Sequence, residues 1–333
     1  MSKNTYLVVG GGGFIAGHLI KRLLNEGNTV IATDIKPKQF WFQTFDEVKS
    51  YADMDMKDYD NCLKVTKGVD YIFNLACNMG GMGFIENNKA ECMLSVLINT
   101  NLLRASLENK VKKYFFSSSA CVYNASKQKN AFIEGLKEED AYPAMPEDGY
   151  GWEKLFSERL FLAFNRNHGL DVRIGRFHNI FGPMGTWTGG KEKAPAAMCR
   201  KAAEVGMDEY IEVWGDGQQT RSFLYIDECL EAVFRFMRQD NFYGPVNIGS
   251  EEMVTINQLV DTAAKVAGKN VEKEHILDAP LGVRGRNSNN DLIREKLGWD
   301  YSQTLEEGIR KTYNWIESQI LIQETTDKLL QKV

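Results

Sequence analysis

Tyr6-Leu-Val-Val9-Gly10-Gly-Gly-Gly13-Phe14-Ile15-Ala16 passes from an apolar run through consecutive glycines into the opening of a helical pattern. The apolar run reads as a strand over Tyr6 to Val9, the glycines as a tight turn, and Ile15 to Asn25 as a helix that stops at Glu26-Gly27. Thr29 to Thr33 reads as a second strand closing on Asp34, which completes one βαβ unit. Gly10-x-x-Gly13-x-x-Ala16 lets backbone N–H groups at a helix N-terminus approach a pyrophosphate. Asp34, about 20 residues on, is placed to accept hydrogen bonds from a ribose diol. A glycine turn alone is only a flexible loop; its position between strand and helix makes it a dinucleotide signal. An acid at position 34 predicts NAD rather than NADP, held by Gly10, Gly13, Phe14, Ile15 and Asp34.

Outward from this unit the alternation continues. Strands are predicted over Tyr71 to Ala76 and Lys113 to Ser117, with a helix over Met93 to Leu107 between them. The class is therefore α/β, a Rossmann-like doubly wound parallel sheet with a smaller C-terminal substrate-binding lobe. Asp55, after the third strand, either meets the adenine edge of the cofactor or is a solvated loop carboxylate beside Asp53 and Asp58. Asn74-Leu-Ala76 ends a strand at the carboxyl edge, where such sheets bind ligands. Met79-Gly80-Gly-Met-Gly83 follows as a glycine-rich loop that either lies against a ligand or forms a mobile lid.

From about Gly182 the alternation loosens, and Lys193 to Ala203, Asp227 to Arg238 and Ile256 to Ala267 read as helices of the lobe. The expected division is a cofactor domain over 1–181, a nucleotide-sugar lobe mainly over 182–322, and a polar tail over 323–333 that frays. Segments 223–250 and 304–320 are expected to pack back on the first domain.

With 333 residues and 43% hydrophobic content the chain can bury a large core. No apolar run approaches the ~20 residues needed to span a bilayer, and Met1-Ser-Lys-Asn-Thr5 leads into a strand, so a cytoplasmic protein without a membrane partner is expected. A net charge of -5 gives no reason to expect nucleic acid. The six cysteines form no C-x-x-C pair, so neither zinc nor a disulfide framework is suggested, and no residue pattern proposes another metal site.

Ser119, Cys121, Tyr150 and Lys154 supply candidate chemistry. Tyr150 and Lys154, at i and i+4 on a helix, share a face, which lets the ammonium lower the phenol's pKa and suits alcohol oxidation by a nicotinamide. In an extended segment Ser119 and Cys121, at i and i+2, point the same way, so a thiol can face the ring whose hydroxyl Ser119 and Tyr150 bind.

These residues resemble the extended short-chain dehydrogenase/reductase family, whose members act on nucleotide sugars. Asn99 to Leu103 and Arg176 to Pro183 are similar to general family features. Asn74 to Phe84, Gly185 to Pro195, Trp214 to Ser222 and Gly282 to Ser288 resemble the branch that epimerises GDP-mannose at C3 and C5. The resemblance implies a GDP-sugar substrate, a homodimer formed through two helices per subunit, and a catalytic set of Tyr150, Lys154, Ser119, Cys121 as base and Lys193 as acid. It also implies contacts to the nucleotide sugar from Gly80, Ser119, Ala120, Cys121, Asn179, Glu192, Lys193, Lys201, Gln219, Thr220, Arg221 and Arg286, the last two on the diphosphate. Cys77-Asn78 and Val122-Tyr-Asn124 depart from that branch. A GDP-hexose or GDP-heptose 4-dehydrogenase or 4-epimerase therefore stays open, as does a silent nucleotide-sugar binder.

Overall fold

The computed structural model describes residues 3–206 and 209–330. Strands β1 (Thr5–Val9), β2 (Thr29–Thr33), β3 (Lys49–Tyr51), β4 (Tyr71–Asn74), β5 (Lys113–Ser119) and β6 (Asp171–Phe177) join Val246–Ile248 in one parallel sheet. Its order is Val246–Ile248, β6, β5, β4, β1, β2, β3. Strand alternation sends Val8, Phe73 and Phe115 to one face. Leu7, Val9, Ile72, Tyr114 and Phe116 go to the other. Runs apolar on both sides need helices on both sides, and the chain provides them.

Helices α1 (Phe14–Asn25), α2 (Tyr59–Thr66), α3 (Met82–Asn87), α4 (Lys89–Met93), α5 (Ser95–Glu108) and α6 (Gly149–His168) follow in order. The single helix expected over Met93 to Leu107 is thus two, parted at Leu94, and the Met79–Gly83 loop winds into α3 from an extended Gly81. β4 stops at Asn74, two residues early, and β5 runs on to Ser119.

The remaining helices are α7 (Ala194–Glu204), α8 (Ile226–Arg238), α9 (Ile256–Ala267), α10 (Asp291–Leu297) and α11 (Leu305–Leu330). α8 lies with α1 on the Val8 face, burying Leu230, Val233, Phe234 and Phe236 at roughly 1.5–3 kcal/mol per large side chain. α11 packs chiefly on α7 and α9. At Gly308 a Cβ would come 2.6 Å from Phe181, and the Lys311 ammonium lies 4.8 Å from the Tyr225 ring centre, while most of the packing of 304–320 is on the lobe helices. Of the polar tail, Gln323–Leu330 continues α11, uninterrupted by proline or glycine after Gly308, and 331–333 lie outside the described residues. Among the described residues no helix is long and apolar enough to cross a membrane.

Candidate active site

A cavity of about 1220 Å³ runs along the carboxyl edge of the sheet, between the strand ends and the lobe. Gly10, Gly13, Phe14, Ile15, Asp34 and Asp55 line one arm. Gly10 has φ +80°, and a Cβ there would stand 3.0 Å from the Ala76 nitrogen, so the turn tolerates no side chain. Gly13 starts α1 from extended backbone, and no side chain caps the first turn. The Asp34 carboxylate accepts from the Gly12 N–H at 3.0 Å and the Lys36 N–H at 2.9 Å, which fixes it at the tip of β2. The Asp55 carboxylate accepts from the Lys57 N–H at 2.8 Å. An uncapped helix N-terminus, a turn closed to any Cβ and a backbone-held carboxylate fit a dinucleotide.

The other arm is built by a close approach. α6 begins after Asp148, whose carboxylate accepts the Gly151 N–H at 2.8 Å. A Cβ at Gly151 would fall 2.2 Å from the Cys121 carbonyl oxygen, so the helix sits directly on the turn that follows β5. This brings Tyr150 against Cys121 and within hydrogen-bonding reach of Ser119. Ser119 and Cys121 do share the cavity, but not through strand alternation. β5 ends at Ser119, Ala120–Val122 turns as a 3₁₀ helix, and the Ser119 hydroxyl accepts the Cys121 N–H at 3.2 Å.

Burial pushes the Tyr150 phenol well above its ordinary value, with the charges of Cys77, Cys121 and Glu153 adding and the Ser119 hydrogen bond opposing. The Lys154 ammonium is buried, donates to the Ser117 carbonyl at 2.9 Å, and stands 5.7 Å from the Tyr150 ring centre. Asn99 and Ser157 bond Glu153, and Ser118 and Arg176 bond Glu158, tying α6 to α5, β5 and β6.

Lys193 lines the same cavity as Tyr150, as the residue that precedes α7, with Pro195 in the first turn. Burial lowers its ammonium, and the negative charges of Cys121 and Cys77 pull the other way. Gly80, Ala120, Asn179, Glu192, Lys201, Gln219, Arg221 and Arg286 line the same space. The Asn179 amide donates to the Ser222 carbonyl at 2.9 Å, the Glu192 carboxylate accepts the Gly190 N–H at 2.7 Å, and Lys201 donates to the Glu212 carbonyl at 2.8 Å. Gln219 donates to the Trp214 carbonyl at 2.9 Å and leaves its own buried oxygen without a partner.

Thr220 does not belong with them. On the strand Thr220–Ser222 alternate residues face opposite ways, so Gln219 and Arg221 reach the cavity while Thr220 is fully buried and bonds the Ala131 carbonyl. Arg221 donates to the carbonyls of Thr220 at 2.7 Å and Leu281 at 3.3 Å, and burial beside Arg286 lowers it to about 10. Arg286 donates to the Cys121 sulfur at 3.4 Å, so one edge of a group expected on the diphosphate is turned to the thiol.

Sequence reasoning missed Lys36, Cys77, Gln128 and Glu147. Lys36 donates to the Gly12 carbonyl at 2.7 Å and lines the cofactor arm; its place two residues past Asp34 was the available signal. Cys77 lines the cavity beside Tyr150, and Glu147 comes 3.7 Å from Arg286, with no local pattern to mark either.

Fold and site together define an NAD-dependent enzyme of sugar-nucleotide type. The chain belongs to the NAD dependent epimerase/dehydratase family, whose model matches residues 6–249. It is 49% identical over 316 residues to the GDP-mannose 3,5-epimerase of Arabidopsis thaliana, covering 94% of this chain and 82% of that one. It is 48% identical to GDP-mannose 3,5-epimerase 1 of Oryza sativa subsp. japonica, covering 96% and 83%. The UDP-glucose 4-epimerase of Thermotoga maritima superposes with a TM-score of 0.84 at 23% identity over 95% of this chain and 99% of that one, a likeness of fold.

Proposed function

We propose that the chain inverts C3 and C5 of the hexose in GDP-mannose to give GDP-L-galactose, by way of a sugar oxidised transiently at C4. The observation that carries this reading is the meeting of Ser119, Tyr150, Cys121 and Lys193 on one cavity, where an alcohol-oxidising pair and an acid–base pair can serve the same ring. The names of relatives nearly half identical to the chain support it. When bound, NAD supplies reversible hydride exchange at C4, and a ketone there acidifies the hydrogens at C3 and C5.

Gly10, Gly13, Phe14 and Ile15 would hold its pyrophosphate side, Asp34 the ribose and Asp55 the adenine edge, with Tyr150 and Lys154 at the nicotinamide end. Tyr150 moves the C4 hydroxyl proton, Ser119 bonds the same oxygen, and Lys154 backs the phenol from its seat on the Ser117 carbonyl. Cys121 takes the proton from C3 or C5 on one face, and Lys193 returns a proton on the other. Burial, which lowers the Lys193 ammonium, makes it the readier donor. Arg221, Arg286 and Lys201 carry the positive charge a diphosphate needs, and Gln219 offers it an amide. Gly80, Ala120, Asn179 and Glu192 bound the sugar.

The reading extends to a division into a cofactor part, 1–181 with 223–250, and a nucleotide-sugar part over the remainder of 182–322. A cytoplasmic homodimer completes it. Six unpaired thiols suit a reducing compartment. Leu97 on α5 and Trp152 and Phe156 on α6 form an exposed apolar face fit for a second copy. The test is NMR of the protein with GDP-mannose in deuterated water. Deuterium at C3 and C5 with epimeric products and no lasting NADH is expected; NADH build-up without exchange would leave a 4-dehydrogenase instead.

A further inference from the structure

We infer that Gln128 is a positioning residue for the acid–base chemistry: it holds the Arg286 guanidinium so that one N–H of that group aims the Cys121 sulfur. The inference rests on the proposed function, which makes Cys121 the base.

Gln128 ends the 3₁₀ turn Ala125–Gln128 and is 1% exposed. Its amide nitrogen donates to the carbonyls of Tyr123 and Asn124 at 3.3 Å each, and its Oε1 accepts from the Arg286 Nε at 2.7 Å. Its backbone carbonyl accepts the Arg284 N–H at 3.0 Å, so Gln128 grips the short strand of Arg286 twice, once by backbone and once by side chain.

A guanidinium is planar, so fixing its Nε edge fixes where the other nitrogens point. Nη1 then reaches the Cys121 Sγ at 3.4 Å, while Nη2 stands 3.7 Å from the Glu147 carboxylate and makes no hydrogen bond. Cysteine has a single side-chain torsion with staggered wells, and a donor fixed on one side of the sulfur selects among them. The base is thus set in place by a chain that runs Gln128 to Arg286 to Cys121, across 165 residues of sequence between the last two. A misplacement near 1 Å at a reacting atom costs on the order of 100-fold in rate.

Two variants separate aiming the arginine from merely clasping the loop. Gln128→Met and Gln128→Glu both lose the donors to Tyr123 and Asn124, but only the glutamate keeps an acceptor for Arg286. With saturating GDP-mannose in deuterated water, Gln128→Met should cut deuterium entry at C3 and C5 roughly 10- to 100-fold, while the transient absorbance of C4 oxidation stays within twofold. Gln128→Glu should keep exchange within about threefold of the parent. Should Gln128→Met not fold, Gln128→Asn, which draws the acceptor back by one methylene, carries the same test.

Equal losses in the methionine and glutamate variants, equal losses in C4 oxidation and exchange, or a rise in KM alone would overturn the inference. Cys121→Ser run beside them tells the two failures apart. If it retains exchange, the reading of Cys121 as base has failed; if it loses exchange while Gln128→Met does not, only the part given to Gln128 has.

Discussion

The two arms of the cavity are built on opposite plans. The dinucleotide arm is made mostly by one contiguous βαβ unit, and its charged side chains Asp34 and Lys36 are already bonded to nearby backbone, Asp34 to the N–H groups of Gly12 and Lys36, Lys36 to the Gly12 carbonyl. The sugar arm draws on segments around residues 80, 120, 150, 193, 220 and 286. It keeps buried groups with nothing to bond, among them the Arg286 Nη2 and the Gln219 Oε1. The first arm holds its acid and lysine in place before the ligand arrives and leaves the uncapped start of α1 for a pyrophosphate, whereas the other leaves buried side-chain bonds for the substrate to complete, which favours the substrate that fits and penalises one that does not.

Cys121→Ser should break this contrast most deeply if it fails to act as expected. Exchange at C3 and C5 should fall by roughly 100- to 10000-fold while NAD binding holds, read by NMR and by titration. On the other arm Gly10→Ala should weaken NAD by on the order of 10- to 100-fold in equilibrium titration, since φ +80° strains alanine and the methyl meets Ala76. An unchanged affinity would mean the turn does not touch the cofactor. Gln219→Ala should raise KM for the GDP-sugar by about five- to tenfold. Its neighbour Thr220→Val should leave KM within twofold yet lower Tm, because its hydroxyl serves the Ala131 carbonyl; a KM effect at Thr220 would return it to the site.

The smallest effect concerns the pair that joins the loops carrying Gln219 and Arg286. Arg284 donates to both carboxylate oxygens of Asp216 at 2.7 and 2.6 Å and holds that acid down to about 2. A folded value below the ordinary one near 3.8 means the stabilisation is present above that pH and is lost as pH falls toward 2. The pair is largely solvent-exposed, so Asp216→Asn should cost no more than about 1 kcal/mol in urea unfolding at neutral pH, and less in high salt. A parent and variant that differ equally at pH 2 and pH 7 would remove the charge from the explanation.

The place of Gly10, Gly13 and Asp34 together on the cavity rim was legible because all three belong to one βαβ unit, where spacing is geometry. Cys121 was reached through an i, i+2 rule that holds in a strand, but the strand ends at Ser119 and a 3₁₀ turn carries the thiol to the cavity. Thr220 was joined to its neighbours as one string, although strand alternation turns it inward. Lys154 was read from its helix face alone, and the carbonyl of Ser117, on another element, takes its ammonium.

By itself the sequence determined the parallel sheet and the cofactor type, because periodicity and short-range spacing act along the chain. Only the tertiary structure decided that Arg286 meets Cys121, that Gln128 directs it, that Glu147 stands beside it and that α11 runs on to Leu330. The site contacts among these join residues far apart in sequence, and such contacts exist only after the fold has brought the segments within hydrogen-bond or ion-pair range.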